Sequence, residues 1–560
     1  MKKLVAIVLV IVMIAALGAC NLFNSDSPDS TPTPTGSSDP TPTPTPEATP
    51  DPIIPNLPEI DENPVSDFEY RAIVGGVEIT QYIGTSIRVR IPELIEGVPV
   101  ISIGERAFAD TGIMEVIIPE SVTYIGDRAF SQIEALATIV IPNGVLYIGN
   151  SAFAGNIALT NVVLPIGITN MGDNVFNNTG ITTLDIPGTL EKISNNAFYG
   201  MSNLVSISIE EGVQSIGRQA FVGTKIASIQ IPDSVAIIMD DAFHGIESLL
   251  SVDLGNGVIE IGNGVFSECI NLTNIIIPES VAHIGAGVFL NTMISSLDIP
   301  GSVSTIVDNA FKGMMSLTSV NLGYGVEEIG ENAFADCKNL LNLTIPNSVI
   351  EISTTSFYGC DKLSTDIKKQ IIRIQYNSTG QIYFGGYIWQ ALEDNGKYVL
   401  FLSKYVVENR EYHLPGGTID WENSTLRKYL NNDFYNTFSL EERALIIENN
   451  LINNNNPFFG TGGGNNTLDK IFVLCMDEYY RYIAFDTSMH LKLSRSDITG
   501  YEPWGWWLRT PGSSNQFASL VITFDNNIRG AINHNGARSD GGSVSVSYGV
   551  RPAMWLNLQP

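Results

Sequence analysis

Cysteine, histidine and positive charge are all scarce in this chain of 560 residues. The five cysteines, Cys20, Cys269, Cys337, Cys360 and Cys475, include no CxxC pair, which excludes a zinc ribbon and a disulfide-built scaffold. The five histidines (His244, His283, His413, His490 and His534) are scattered, and no HExxH, GxSxG or Cys-His constellation occurs. No catalytic residue, metal ligand or cofactor is therefore assigned, and hydrolysis by paired carboxylates is the enzymatic alternative that missing motifs leave open. Lys and Arg total 30 against 59 Asp and Glu, a net charge of -29. That balance repels nucleic acid, teichoic-type polymers and anionic bilayers, favours a basic partner, and also serves solubility. With 44% hydrophobic and only 16% charged residues, and 51 glycines, the composition suits many buried strands joined by tight turns. The length implies two or more folded units.

Long apolar runs are also missing, except near the start. Met1-Lys2-Lys3 precedes an apolar run from Leu4 to Leu17, too short to span a bilayer stably and shaped as a signal peptide over residues 1–19. It ends in Leu17-Gly18-Ala19-Cys20, which resembles the lipobox of bacterial lipoproteins. The resemblance implies cleavage before Cys20 and lipid attachment to its sulfur, with each buried CH₂ adding about 0.8 kcal/mol to anchoring. Residues 20–66 then hold twelve prolines between Pro28 and Pro64, with a Thr-Pro alternation that cannot build a core. In polyproline II at about 3.1 Å per residue, such a stalk reaches up to about 140 Å.

Repeats dominate the middle of the chain. Phe108, Phe130, Phe153, Phe176, Phe198, Phe221, Phe243, Phe266, Phe289, Phe311, Phe334 and Phe357 follow one another at intervals of 22 or 23 residues. Around each runs one frame, as in Leu272-x-x-Ile275-x-Ile277-Pro278, Val281-x-x-Ile284-Gly285 and Val288-Phe289. Alternation turns Ile275 and Ile277 to one side of a short strand, and proline, lacking an N–H, ends it. Val281 to Ile284 returns along an opposite wall, Gly285 is expected to take a turn conformation closed to other residues, and Phe289 fills the interior. One coil cannot bury so many apolar groups, so coils must stack at about 4.8 Å. The frame resembles the BspA-like leucine-rich-repeat surface proteins. That resemblance implies a β-rich leucine-rich-repeat solenoid of about twelve 22–23-residue coils over residues 67–365, opened by an atypical cap with Ile79, Tyr82, Ile91 and Val100. It also implies surface exposure and adhesion or recognition, without naming a ligand.

If the frame is buried, binding belongs to the exposed columns on either side of the middle apolar residue. The candidate residues there are Thr183, Asp185, Ser206, Ser208, Ser228, Gln230, Ser251, Asp253, Ser296 and Asp298. The columns contain no tryptophan, tyrosine or arginine, so they suit shallow contact better than one tight pocket. Ile117, Val140 and Val163 form an apolar strip, either covered by the cap or open to a partner. Cys269, Cys337 and Cys360 share one slot after the phenylalanine and are expected to be buried; a Cys337–Cys360 disulfide needs a departure from straight stacking.

After Leu363 the period vanishes. Residues 366–376 form a charged connector, and a new unit spans 380–560. Residues 387–392 and 397–402 are predicted strands, 424–435 and 440–448 helices, the second opened by Ser439 with Glu442 three residues on, and 449–466 a loop. The Trp506-Trp507-Leu508-Arg509 and Gly549-Val550-Arg551 segments resemble an uncharacterised domain of bacterial surface proteins and, more loosely, the C-type-lectin-like fold of formylglycine-generating enzymes. The unit lacks the cysteine pair those enzymes use, having only Cys475. Trp504, Trp506, Trp507 and Arg509 are candidates for stacking on sugar rings; the competing reading is a tryptophan core with Arg509 and Arg551 in buried hydrogen bonds. Residues 525–527 and 533–542 are rich in oxygen ligands and open to calcium, or are hairpin loops.

These features together point to a lipid-anchored binding protein on the extracellular face of a bacterial envelope, not an enzyme. Its expected partner is an extracellular protein or glycan, with the membrane met only through its lipid and nucleic acid excluded. A solenoid that merely displays a ligand-binding C-terminal unit is the alternative.

Overall fold

A repeating coil needs its neighbours, because only stacking removes both of its open faces from water. The computed structural model describes residues 60–413, 420–457, 460–483, 505–511, 517–522, 531–533 and 547–559, all within one unit spanning Ile60–Pro560. The twelve phenylalanines are all buried and form a continuous file. Successive ring centroids lie between 4.8 Å (Phe221–Phe243) and 6.4 Å (Phe176–Phe198), and most pairs are near parallel. Ten of the plug amides tie their coil to the next, as where Phe108 N–H donates to the Ala129 carbonyl at 2.8 Å and Phe311 N–H to Ala333 at 2.8 Å.

The entry is closed by an antiparallel pair, Phe68–Ile73 with Gly76–Tyr82, and the second of these strands runs parallel to Val98–Ile103. Tyr82 stacks on Phe108 at 5.5 Å and Phe68 packs on Tyr82, so aromatic rings finish the file where no coil precedes it.

Two sets of short parallel strands line the solenoid. On one wall the two-residue segments Lys192–Ile193, Ser215–Ile216, Ile237–Ile238, Glu260–Ile261 and His283–Ile284 pair in one run, with separate sheets ending at Asn170–Met171 before it and starting at Thr305–Ile306 after it. On the other, the ladder is cut into groups: Arg88–Arg90 with Glu115–Ile117 and Thr138–Val140, then Thr183–Ile186 with Ser206–Ile209, then Ser228–Gln230 with Ser251–Asp253 and Asn274–Ile275, then Ser296–Ile299 with Ser319–Leu322 and Asn342–Thr344. Every 22-residue step on this wall, from 161 to 183, 206 to 228 and 274 to 296, falls at a cut. The missing residue lies just after the plug. Short coils have a threonine three residues past the phenylalanine, as in Phe221-x-x-Thr224, and its hydroxyl donates to the plug's own carbonyl at 2.8 Å. Thr111 and Thr292 repeat that bond, whereas the buried Thr179 hydroxyl makes none among the described residues. Long coils place there an apolar residue, an asparagine or a cysteine. Asn156 Nδ2 and the thiols of Cys269, Cys337 and Cys360 reach back to the plug carbonyl of the preceding coil at 2.9 to 3.2 Å. The four cysteines of the described residues are free and buried, so Cys337 and Cys360, though in register, are not joined.

The glycine of the frame acts differently from expectation. Gly285 has no positive φ; a Cβ on it would stand 2.5 Å from the Asn263 nitrogen and 2.5 Å from the Gly262 carbonyl carbon. Close approach of the preceding coil, not backbone conformation, demands glycine there. Left-handed backbone occurs instead two residues before and after the plug, at Asn174 (59°) and Asn178 (56°) around Phe176, for example. A further ladder follows the frame glycine: Asp127 Oδ1 accepts from Asn150 N–H, Asn150 Oδ1 from Asp173 N–H and Asp173 Oδ1 from Asn195 N–H, at 2.8 to 3.0 Å. It continues to Arg218, which has no acceptor to pass on, and resumes at Asp240.

The charged connector is a helix, Thr365–Thr379, capped by the Ser364 hydroxyl and ended by Gly380 in the left-handed region. Ile367, Ile371 and Ile374 recur at helical spacing, which explains why it forms. Ile371 belongs to the solenoid core while Ile372 belongs to the next one, so this helix caps the last coil and seeds the following unit. Beyond it lies an α+β arrangement. One antiparallel sheet joins Gln381–Phe384, Tyr387–Asp394, Val399–Ser403 and Ala553–Leu556, with Ile446–Ile447 and Ile471–Phe472 also pairing on the last of these. A second holds Glu408–Arg410, Tyr548–Val550, Gly505–Pro511, Ala518–Ile522 and Ala531–Asn533. The predicted helix over 424–435 is α-helical only at Thr425–Tyr429 before widening into a π turn, Leu430–Phe434. That over 440–448 has the expected capping box but stops at Arg443, because Ile446 is buried as a strand against the closing segment. The predicted loop 449–466 opens with a strand, Asn449–Leu451, paired with Thr467–Asp469.

Candidate functional site

The interrupted ladder turns one edge of every coil outward. Its strands alternate exposed and buried residues, so that Leu184, Val252 and Leu297 point into the core while their neighbours face solvent. All ten sequence-selected residues are exposed on this face. Parallel pairing aligns Thr183 with Ser206 and Asp185 with Ser208, Ser228 with Ser251 and Gln230 with Asp253, and places Ser296 and Asp298 beside Ser319 and Asn321. The Ser208 hydroxyl donates to Asp185, so these groups meet across coils. The cuts separate Asp185, Asp253 and Asp298 onto different strand groups, and the face offers hydroxyl, amide and carboxylate groups in rows about 4.8 Å apart without a pocket. At the entry end, Glu115 is buried against Arg88 at 2.7 Å. Ile117 and Val140 are half-buried and Val163 is 57% exposed, so the cap does not cover the whole strip. Ile276 adds a second exposed apolar group, at 76%.

The C-terminal candidates are placed otherwise. Trp506 and Trp507 are buried, Trp507 Nε1 donating to the Arg410 carbonyl at 2.7 Å and the Arg551 guanidinium lying 4.9 Å over the Trp506 ring. Arg509 is buried in a two-pronged pair with Glu478 at 2.5 and 2.7 Å and donates to the Val473 carbonyl at 3.0 Å. These three side chains form core, not a stacking surface, because the strand that carries them packs inside the hydrophobic core of the C-terminal unit. Trp504 lies outside the described residues, as do 525–527 and 534–542 of the calcium candidates; among the described residues no cluster of metal-ligating side chains occurs. Burial raises the Glu478 carboxyl, but the charge and hydrogen bonds of Arg509 outweigh it and hold the group below its usual range. Desolvation pushes the Arg551 guanidinium down to about 10. Burial lifts the Cys475 thiol to about 11 and the Cys269 thiol to about 12, leaving both unreactive at neutral pH.

Family comparison agrees with the coil geometry. The model of the BspA type leucine rich repeat region matches residues 91–205, 191–318 and 304–379, together more than half of the chain. The chain belongs to the BspA-type leucine-rich-repeat family. Residues 395–558 match a Domain of unknown function (DUF6273). Among solved structures, a leucine-rich repeat protein from Bacteroides ovatus is 26% identical, covering 55% of this chain and 93% of that one with a TM-score of 0.42. A leucine rich cell surface protein from Faecalibacterium prausnitzii is 25% identical, covering 55% and 94% with a TM-score of 0.36. No curated protein matches the chain. Among the described residues no helix is long and apolar enough to cross a membrane.

Sequence reasoning passed over the polar ladder behind the frame glycine and the tyrosines Tyr358, Tyr383, Tyr387 and Tyr405, which meet where the last coils adjoin the next unit. The first had a signal in Asp127, Asn150, Asp173 and Asn195 at the repeat interval; the second had none, since its members come from separate elements.

Proposed function

We propose that this chain is a lipid-anchored bacterial surface protein that binds an extracellular protein or glycan through the outward face of its solenoid. The observation that carries the reading is the row of short polar side chains, exposed and in register from coil to coil, over a core that leaves them no structural duty. Many weak contacts repeated along a rigid rod suit an extended ligand, whose affinity accumulates by multivalency. The net charge of -29 and the carboxylates of Asp185, Asp253 and Asp298 favour a basic surface on that ligand. The scattered histidines and the burial of the four described cysteines favour binding over catalysis. Cys20, which would carry the lipid, lies outside the described residues.

Capture on an array of matrix proteins and neutral glycans tests this, comparing the chain with a variant carrying Asp185→Asn, Asp253→Asn and Asp298→Asn. The variant is expected to bind roughly tenfold more weakly, each exposed charge contributing about 0.2 to 1 kcal/mol, with a shallower salt dependence. Equal capture by both chains would remove this face from the binding site.

A further inference from the structure

Where the last two coils meet the first hairpin of the C-terminal unit, a cleft of about 650 Å3 opens. Four tyrosines line it: Tyr358 from the last coil, Tyr383 and Tyr387 from the hairpin, and Tyr405 just past the strand Val399–Ser403. Tyr358 and Tyr383 meet edge to face at 5.2 Å, so rings from the two parts of the chain are locked together there. Long-range contacts behind the hairpin hold the two parts together. Gln375 of the connecting helix donates to the Ser353 carbonyl at 2.9 Å and accepts from Tyr383 N–H at 3.2 Å.

Ser403 supplies an independent observation. It lines the cleft and is 1% exposed. Its amide donates to the Pro552 carbonyl at 2.9 Å, and its carbonyl accepts from the Arg551 guanidinium at 2.9 and 3.1 Å. Its hydroxyl, however, has no partner among the described residues. A buried hydroxyl left unsatisfied is costly, and a cleft-lining one is satisfied by a ligand that brings its own polar group. Thr355, whose Oγ1 accepts from Asn332 N–H at 3.2 Å, leaves a hydroxyl proton to donate.

We propose that this cleft is a binding site for a neutral oligosaccharide, separate from the solenoid face. Among the described residues no charged side chain lines it, which disfavours anionic and cationic ligands alike. Tyrosine rings offer flat apolar faces for the CH side of a sugar ring, while Ser403 and Thr355 answer its hydroxyls. The volume falls within the range of small-ligand sites, about 300 to 1,000 Å3. Membership of the repeat family does not require this cleft, because eight of its eleven lining residues come from beyond the solenoid.

The test is saturation-transfer NMR on the whole chain with methyl glycosides of glucose, galactose and N-acetylglucosamine and with cellobiose and chitobiose, followed by titration of those that respond. At least one sugar is expected to receive saturation from tyrosine protons. Ser403→Ala should weaken it about three- to tenfold, the worth of one hydrogen bond. Tyr358→Ala, on a partly exposed residue whose loss leaves the coil intact, should weaken it about tenfold by removing a stacking face. The triple aspartate variant of the solenoid face should bind these sugars unchanged. Absence of transfer to every sugar, binding that persists equally in both cleft variants, or a response only to tryptophan methyl ester used as an aromatic control would overturn the proposal. If Ser403→Ala does not fold, Tyr358→Ala decides it alone.

Discussion

Single side chains in this molecule carry unequal weight, and burial sorts them. Phe198 is wholly enclosed between Phe176 and Phe221. Phe198→Ala is expected to cost about 3 to 5 kcal/mol, and Phe198→Asp more, because a carboxylate would then sit in an apolar file. Chemical denaturation monitored by circular dichroism measures both; an unchanged midpoint would contradict the plug role. The Arg509–Glu478 pair behaves as a buried charge pair whose halves depend on each other. Arg509→Leu strands the carboxylate and should cost about 3 to 5 kcal/mol. Because the folded Glu478 carboxyl is held below its unfolded value of about 4.3, the stability it contributes is full above that pH and fades as pH falls through the depressed value. Unfolding midpoints of the C-terminal unit between pH 6 and pH 3 should therefore drop, and the drop should be smaller in Arg509→Leu.

At the scale of the coil, the two kinds of glycine separate cleanly. Gly285 abuts the backbone of the preceding coil, whereas Gly287, at φ 61°, has open space around the position of a Cβ. Asn174, Asn196, Asn309 and Asn332 hold the slot of Gly287 in other coils. Gly287→Asn should stay within about 0.5 kcal/mol of the parent, while Gly285→Ala should lose about 1 to 3 kcal/mol by wedging two coils apart. Thermal melts of the two variants check the difference. The same scale bears on the cuts in the outward ladder: at each of them one residue is omitted between plug and strand, and a threonine three residues past the plug (Thr179, Thr224 or Thr292) marks the coil. The period of the phenylalanines was legible from their positions alone, and so were the buried and exposed sides of each strand. The cuts were legible too, had the 22-residue steps been set beside the threonines. The role of Gly285 was not, since close approach depends on a coil 23 residues earlier.

The whole molecule joins a rod, a capping helix and an α+β unit, and the proposed stalk and lipid would set where that assembly works. Cys20→Ser is expected to move the chain from the detergent-requiring membrane fraction to the soluble one, read by fractionation and by mass spectrometry of the N-terminal peptide. Retention in the membrane fraction, without acyl mass in the parent, would remove the anchor.

Local repetition let the amino-acid order specify the solenoid by itself: twelve plugs, their alternating strands and a polar outer row all follow from a pattern shorter than one coil. Folding at long range decided the rest. Trp506, Trp507 and Arg509 became core because their strand packs against distant segments of the C-terminal unit, and the tyrosine cleft arose from residues with no common period. Arg551 grips the Ser403 carbonyl from 148 residues away, and nothing within one turn of chain announces such a contact. Periodic burial is written in the spacing of side chains, whereas a site drawn from several elements exists only once those elements pack.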